Sequence, residues 1–156
     1  MSKTTPATLM LDRSGVDYRL HSYAYDADAD SIGLAAAAAL GVAPSTMLKT
    51  LIVMIDGKPA CVVLASDREV SMKKLATVLG GKRAEMCKPA DAERLTGYRV
   101  GGVSPLGQKK RLPTVVDAAA LDHPAVFVNG GQRGLQAQLA PAELVRALGA
   151  TVASIT

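Results

Sequence analysis

Apolar and polar positions along the chain fall into short blocks whose period changes several times. Thr5-Pro6 opens a helix that Ser14-Gly15 closes, because proline suits the first helical position and glycine the exit. Residues 17–23 alternate, with Tyr18, Leu20 and Ser22 on one side and Arg19, His21 and Tyr23 on the other, which predicts a half-buried strand. Ser31 caps an alanine-rich helix that runs through Leu40 and ends at Gly41. Pro44-Ser45-Thr46 then turns into an apolar run over 47–55. Asp56-Gly57-Lys58-Pro59 reads as a turn into a second strand over 60–65, so the two runs form a hairpin. Helices follow over 71–79, ended by Gly80-Gly81, and over 89–95, ended by Gly97. A glycine-rich stretch without periodicity leads to strands near 114–118 and 124–129. Leu135, Ala137 and Leu139 alternate with Gln136 and Gln138 as one more strand, before a helix over 141–148 and a short strand over 151–155.

Strands that arrive as hairpins among helices of about ten residues predict an α+β fold with a mixed sheet, not a doubly wound parallel sheet. No repeat or linker interrupts residues 1–156, so one domain is expected, long enough to bury roughly 68–70% of its unfolded surface. Residues 31–48 are uncharged, yet they are mostly alanine and are broken by Gly33, Gly41, Pro44, Ser45 and Thr46. That is a poor match to the roughly 20 strongly apolar residues of a membrane span. Asp12, Arg13, Asp17 and Arg19 leave no apolar stretch for a signal or transit peptide.

Composition removes further classes. Aromatics are 3% of the chain, so it lacks the clustered rings on which single-stranded bases stack. Cys61 and Cys87 stand apart with no histidine spaced to join them, which predicts no zinc site, no disulfide and a reducing, cytoplasmic setting. Asp26, Asp28 and Asp30 have the spacing of a calcium loop but lack its glycine and its late glutamate. The net charge of +4 is concentrated: residues 73–111 carry ten basic side chains against three acidic ones. That segment suits either a polyanionic partner or a solvated face.

Three features carry candidate chemistry. With 47–55 as a strand, Met47, Lys49, Leu51, Val53 and Ile55 share a side, which puts a lysine on an apolar face. Lys49 must then sit at a cleft mouth or have an anionic partner, or else snorkel out at the strand's start. Thr50 faces the other way. Gly97-Tyr98-Arg99-Val100-Gly101-Gly102-Val103-Ser104-Pro105-Leu106-Gly107 leaves backbone free to approach a ligand, is not a nucleotide-binding P-loop, and runs into Gln108-Lys109-Lys110-Arg111. Asn129-Gly130-Gly131-Gln132-Arg133-Gly134 is a third glycine cluster, which a hairpin turn also explains. His21 and His123 have no triad pattern around them, and no carboxylate pair suggests a general acid and base.

Together, Tyr23 after His21, Lys49-Thr50 at the head of an apolar strand, GYRVGGVSPLGQKKRLP over 97–113 and NGGQRGL over 129–135 resemble the YbaK-type Cys-tRNA(Pro) deacylases. These are relatives of the editing domain inserted in bacterial prolyl-tRNA synthetases. The resemblance implies a mixed α/β editing-domain fold with a central barrel-like mixed sheet flanked by helices. It also implies a trans-acting, cofactor-free hydrolase for mischarged aminoacyl-tRNA, with prolyl-tRNA synthetase as a further partner. It makes Lys49 the catalytic residue, places Tyr23, Thr50, Gly101, Gly102, Ser104, Asn129, Gly130 and Gly131 at the substrate, and gives Lys109, Lys110 and Arg111 to the tRNA. Two positions depart from the family: Asn129 stands where a serine is usual, and Ile32-Gly33-Leu34-Ala35 replaces a Phe-Gly with acidic residues. An editor for alanine or another small residue, or an inactive tRNA- or synthetase-binding module, are the alternatives.

Overall fold

Thr5 starts the first helix with a reciprocal cap. Its hydroxyl accepts the Thr8 N–H at 3.1 Å while the Thr8 hydroxyl accepts the Thr5 N–H at 2.9 Å, so a threonine fills the place glutamate takes in the usual capping box. The computed structural model describes residues 4–156. It places α1 over Pro6–Arg13, β1 over Tyr18–Ser22 and α2 over Ile32–Leu40. The Ser31 hydroxyl caps α2 by accepting the Leu34 N–H, and Gly41 ends it in the left-handed conformation. A 3₁₀ turn, Pro44–Thr46, leads into β2 over Leu48–Ile55. The uncharged stretch is thus a short helix, a turn and a strand, and no helix among the described residues is long and apolar enough to cross a membrane.

β3 runs over Lys58–Ala65, two residues earlier than its sequence pattern predicts. The turn holds only Asp56 and Gly57, whose φ values of 48° and 82° are those of a tight primed hairpin turn. Pro59 is tolerated inside the strand because the neighbour on that side, β5, joins only at Cys61. α3 (Met72–Val78) precedes β4 (Ala84–Met86), a strand too short to show a period and therefore unforeseen. The Asp56 carboxylate brings it in by accepting the Lys82 and Arg83 N–H groups, both at 2.9 Å. α4 (Pro89–Thr96), β5 (Thr114–Asp117), a 3₁₀ turn over Ala118–Asp122, β6 (Val126–Asn129), β7 (Leu135–Leu139), α5 (Pro141–Leu148) and β8 (Thr151–Ala153) complete the chain. Ile155 falls outside the last strand because its N–H turns onto the buried Asp117 carboxylate.

The strands form two sheets: β1-β7-β6, antiparallel, and β4-β2-β3-β5-β8, in which β3-β5 and β5-β8 run parallel. The mixed α+β character is as expected, and the strands divide between two sheets with no closed barrel among the described residues. Just before β2, Met47 makes a single parallel bridge with Phe127 of β6, and between that bridge and β4, which joins at Val53, the edge of β2 is open. The larger core packs Leu48, Ile52, Cys61 and Val63 against Val126, Val128, Leu139, Leu11 and Leu144. Val53, Ile55, Val62 and Leu64 pack on the opposite face with Leu75 and Ile155.

Candidate functional site

Alternation along β2 decides which backbone groups reach the open edge. The Met47 carbonyl accepts the Ser66 N–H on the β3 side, and the Ile52 carbonyl accepts the Cys87 N–H on the other. Between them Thr50 turns its own N–H and C=O away from β3. Here lies a cavity of about 320 Å³, walled by β2, the start of α2, the Cys87–Ala92 segment, the first glycine loop and the sheet holding β6 and β7. Gly33 lets α2 press onto that wall, since a Cβ there would strike the Ser66 hydroxyl, which itself donates to the Met47 carbonyl.

Lys49 lines the cavity, half-buried, and no ion pair or hydrogen bond holds its ammonium among the described residues. Thr50 lines it as well, with a buried hydroxyl that has no partner. Gly101 brings the first glycine loop in at φ +89°, and a Cβ there would overlap the Tyr25 hydroxyl, so only glycine fits. Arg133 secures that contact by lying 5.2 Å over the Tyr25 ring while its Nε donates to the Val100 carbonyl. Asn129 joins the two glycine loops: its Nδ2 donates to the Gly101 carbonyl at 3.4 Å and its Oδ1 accepts the Gly131 N–H at 2.7 Å.

The remaining residues singled out in the sequence stand outside this lining. The Tyr23 ring packs with Ala36, Met47 and Phe127, its hydroxyl buried without a partner. Gly102 lies against the Gln132–Arg133 backbone, where a Cβ would come within 2.8 Å of the Arg133 nitrogen. Ser104 is fully buried and its hydroxyl accepts the Leu106 N–H. The Gly130 carbonyl takes the Thr5 hydroxyl at 2.5 Å, and Gly131 fits tightly between Thr5 and Tyr98. Lys109, Lys110 and Arg111 are exposed, the two lysines pinned through their backbone N–H groups to the end of α4.

Two lining residues, Cys87 and Gln136, lie outside the site that the sequence reading assigned. Cys87 is nearly buried at the cavity wall, and burial, with Asp91 nearby, raises its thiol above the ordinary range. Gln136 sits directly opposite Asn129 in the β6–β7 register, is 4% exposed, and keeps a buried Oε1 with no partner. The alternation of 135–139 hid it, because a glutamine on the polar side of a strand normally faces water. The next residue on that side, Gln138, instead binds the His21 Nε2 at 2.8 Å, and His21 packs edge-on to Phe127. Among the described residues the cavity lining contains no Asp, Glu or His.

Residues 26–147 match the family described as the aminoacyl-tRNA editing domain. The chain is 34% identical over 153 residues to the "Putative Cys-tRNA(Pro)/Cys-tRNA(Cys) deacylase EbsC" of Enterococcus faecalis, covering 97% of this chain and 93% of that one. It is 32% identical over 92 residues to a proline–tRNA ligase of Geobacter metallireducens, of whose length the match spans 16%. Among solved structures, the crystal structure of "a putative trans-editing enzyme for prolyl tRNA synthetase" superposes with a TM-score of 0.82 over 99% of both chains at 24% identity, a likeness of fold.

Proposed function

This chain belongs to the aminoacyl-tRNA editing domain family, and from that premise we propose that residues 1–156 act as one trans-acting editing domain that deacylates mischarged tRNA in the cytoplasm, with Cys-tRNA(Pro) as its substrate. One observation carries the reading: Lys49, unpartnered among the described residues, lines a cavity whose described lining has neither carboxylate nor imidazole. Such a cavity holds an ester and answers charge on its carbonyl oxygen, but supplies no base to activate water. The lining thiol of Cys87 is pushed up by burial, away from the thiolate form a nucleophile needs.

The nucleophile is then the substrate's own. The cysteinyl thiol attacks its ester carbonyl, a C–S bond forms, the bond to the terminal ribose oxygen breaks, and the thiol proton ends on the released tRNA hydroxyl. The amino acid leaves as a four-membered thiolactone that water opens. Lys49 faces the developing oxyanion. Thr50, Gly101 and Asn129 bound the site, while Tyr23, Gly102, Ser104, Gly130 and Gly131 keep its walls in place. Lys109, Lys110 and Arg111 take acceptor-stem phosphates, and prolyl-tRNA synthetase is the source of the charged tRNA. The relative named as a deacylase, matched over 93% of its own length, supports action in trans.

The test is a panel of Cys-, Ser-, Ala- and Pro-tRNA(Pro) with purified protein. Rapid release from the cysteinyl ester and slow release from the seryl ester are expected, because an alcohol is far less ionised than a thiol at neutral pH. Equal rates for Cys and Ser exclude thiol assistance. Preferred hydrolysis of the alanyl ester makes this an editor for a small residue, and no hydrolysis of any ester leaves a tRNA-binding module.

A further inference from the structure

Gln136 holds a buried carbonyl oxygen at the cavity wall that the protein itself does not use. An orphaned buried acceptor destabilises the folded chain, and no polar group among the described residues relieves it. Its neighbours in the lining are already committed. Both ends of the Asn129 amide are bonded, the Gly101 carbonyl takes Asn129, and the Ser31 hydroxyl takes the Leu34 N–H. Lys49 offers only donors. That leaves Gln136 Oε1 and the two-way hydroxyl of Thr50 as unspent side-chain acceptors.

A ligand that fits this inventory brings one carbonyl for the lysine side and one strong donor for the glutamine side. We infer that the Gln136 side-chain carbonyl accepts the protonated α-amino group of an aminoacyl ester, and so distinguishes such an ester from one lacking the amine. The chemical class of the ligand rests on the deacylase reading above. Placement agrees with electrostatics: an ammonium is repelled by Lys49 on β2, and Gln136 belongs to the other sheet, on β7. A neutral carbonyl suits the task better than a carboxylate, which would pair with Lys49 and draw the lysine off the ester.

The probes are two adenosine derivatives that resist ester hydrolysis: cysteine joined by an amide to 3′-amino-3′-deoxyadenosine, and the matching 3-mercaptopropionyl amide without the α-amine. Calorimetric titration of the wild-type protein should show the amino compound binding about ten- to a hundredfold more tightly, as expected for a hydrogen bond to a charged group. Gln136→Met keeps the side-chain length and removes the acceptor, so the ratio should fall to within about threefold. Its melting midpoint should stay level or rise, because an unsatisfied buried group is gone. An unchanged ratio in Gln136→Met, or wild-type protein that binds both amides equally or neither, overturns the inference. If the ratio behaves as stated while Cys-tRNA(Pro) is left intact by the wild type, Gln136 keeps this role and the deacylase reading fails instead.

Discussion

Asn129 and Gln136 face each other across the β6–β7 ladder, and only one of the two amides is spent. Asn129 uses its oxygen on Gly131 and its nitrogen on Gly101, tying loops that lie 28 residues apart in sequence, while the Gln136 oxygen has no partner. The first amide builds the wall and the second remains available to a ligand.

Asn129→Ala should therefore lower stability by about 1–2 kcal/mol and reduce deacylation more than tenfold, since both loops lose their tie. Asn129→Ser, with one short hydroxyl for two partners, should fall between alanine and wild type. Urea denaturation read beside initial rates on Cys-tRNA(Pro) checks both. Wild-type turnover in a destabilised Asn129→Ala protein would mean that loop spacing does not matter to the site.

Lys49→Ala should abolish deacylation by at least about a hundredfold with the melting midpoint within a few degrees of wild type. Lys49 is half-buried and makes no ion pair or hydrogen bond among the described residues, so its loss leaves no orphaned partner. Circular dichroism with single-turnover kinetics is the measurement. Turnover within a few-fold of wild type in a folded protein removes Lys49 from the chemistry.

The exposed run Lys109, Lys110 and Arg111 makes a salt prediction. If each contacts a phosphate, log affinity for tRNA should fall with log salt by about 0.7–0.9 per contact, and neutralising all three should flatten the slope by about two to three. Filter binding from about 50 to 300 mM salt reads it. An unaltered slope assigns the run to solvent.

Burial pushes the Cys61 thiol up to about 12 from its ordinary 9.0, although hydrogen bonds with Gln108 and Thr114 pull slightly the other way. The unfolded chain thus releases this proton near pH 9 and the folded chain only near 12. Between those values the unfolded state binds fewer protons, so stability is complete below pH 9 and falls by up to about 1.4 kcal/mol per pH unit above it. Tyr98, also raised to about 12 by burial, adds its own loss above its ordinary 10.0. Denaturation midpoints from neutral to alkaline pH should decline from pH 9 onward, and Cys61→Ala should make that decline shallower without moving its onset, because the raised Cys87 thiol still contributes above pH 9. Activity of Cys61→Ala on Cys-tRNA(Pro) should be retained, because the thiol is fully buried away from the cavity.

Local rules made much of the fold legible before any coordinates. Caps at Thr5 and Ser31, stops at Gly41 and Gly97, and alternation over β1 and β7 each depend on a few adjacent residues and their φ/ψ limits. Lys49 was conspicuous for the same reason: a charge among apolar neighbours at period two is a contradiction that sequence alone displays.

What tertiary structure decided is what depends on distant partners. β4 has too few residues to declare a period and exists because Asp56 draws in the Lys82 and Arg83 amides and β2 offers an edge. The strands make two sheets because Met47, just before β2, meets β6 at one bridge, and the edge left open becomes the cavity. Tyr23, Ser104 and Gly130 are expected at the site from the family resemblance, and only the packing shows that they stand outside the cavity lining. Gln136 looks like a solvated strand residue until the fold covers it. Whether a polar side chain is spent or free depends on which other groups arrive within hydrogen-bond distance, and along a single strand those groups are not neighbours in sequence.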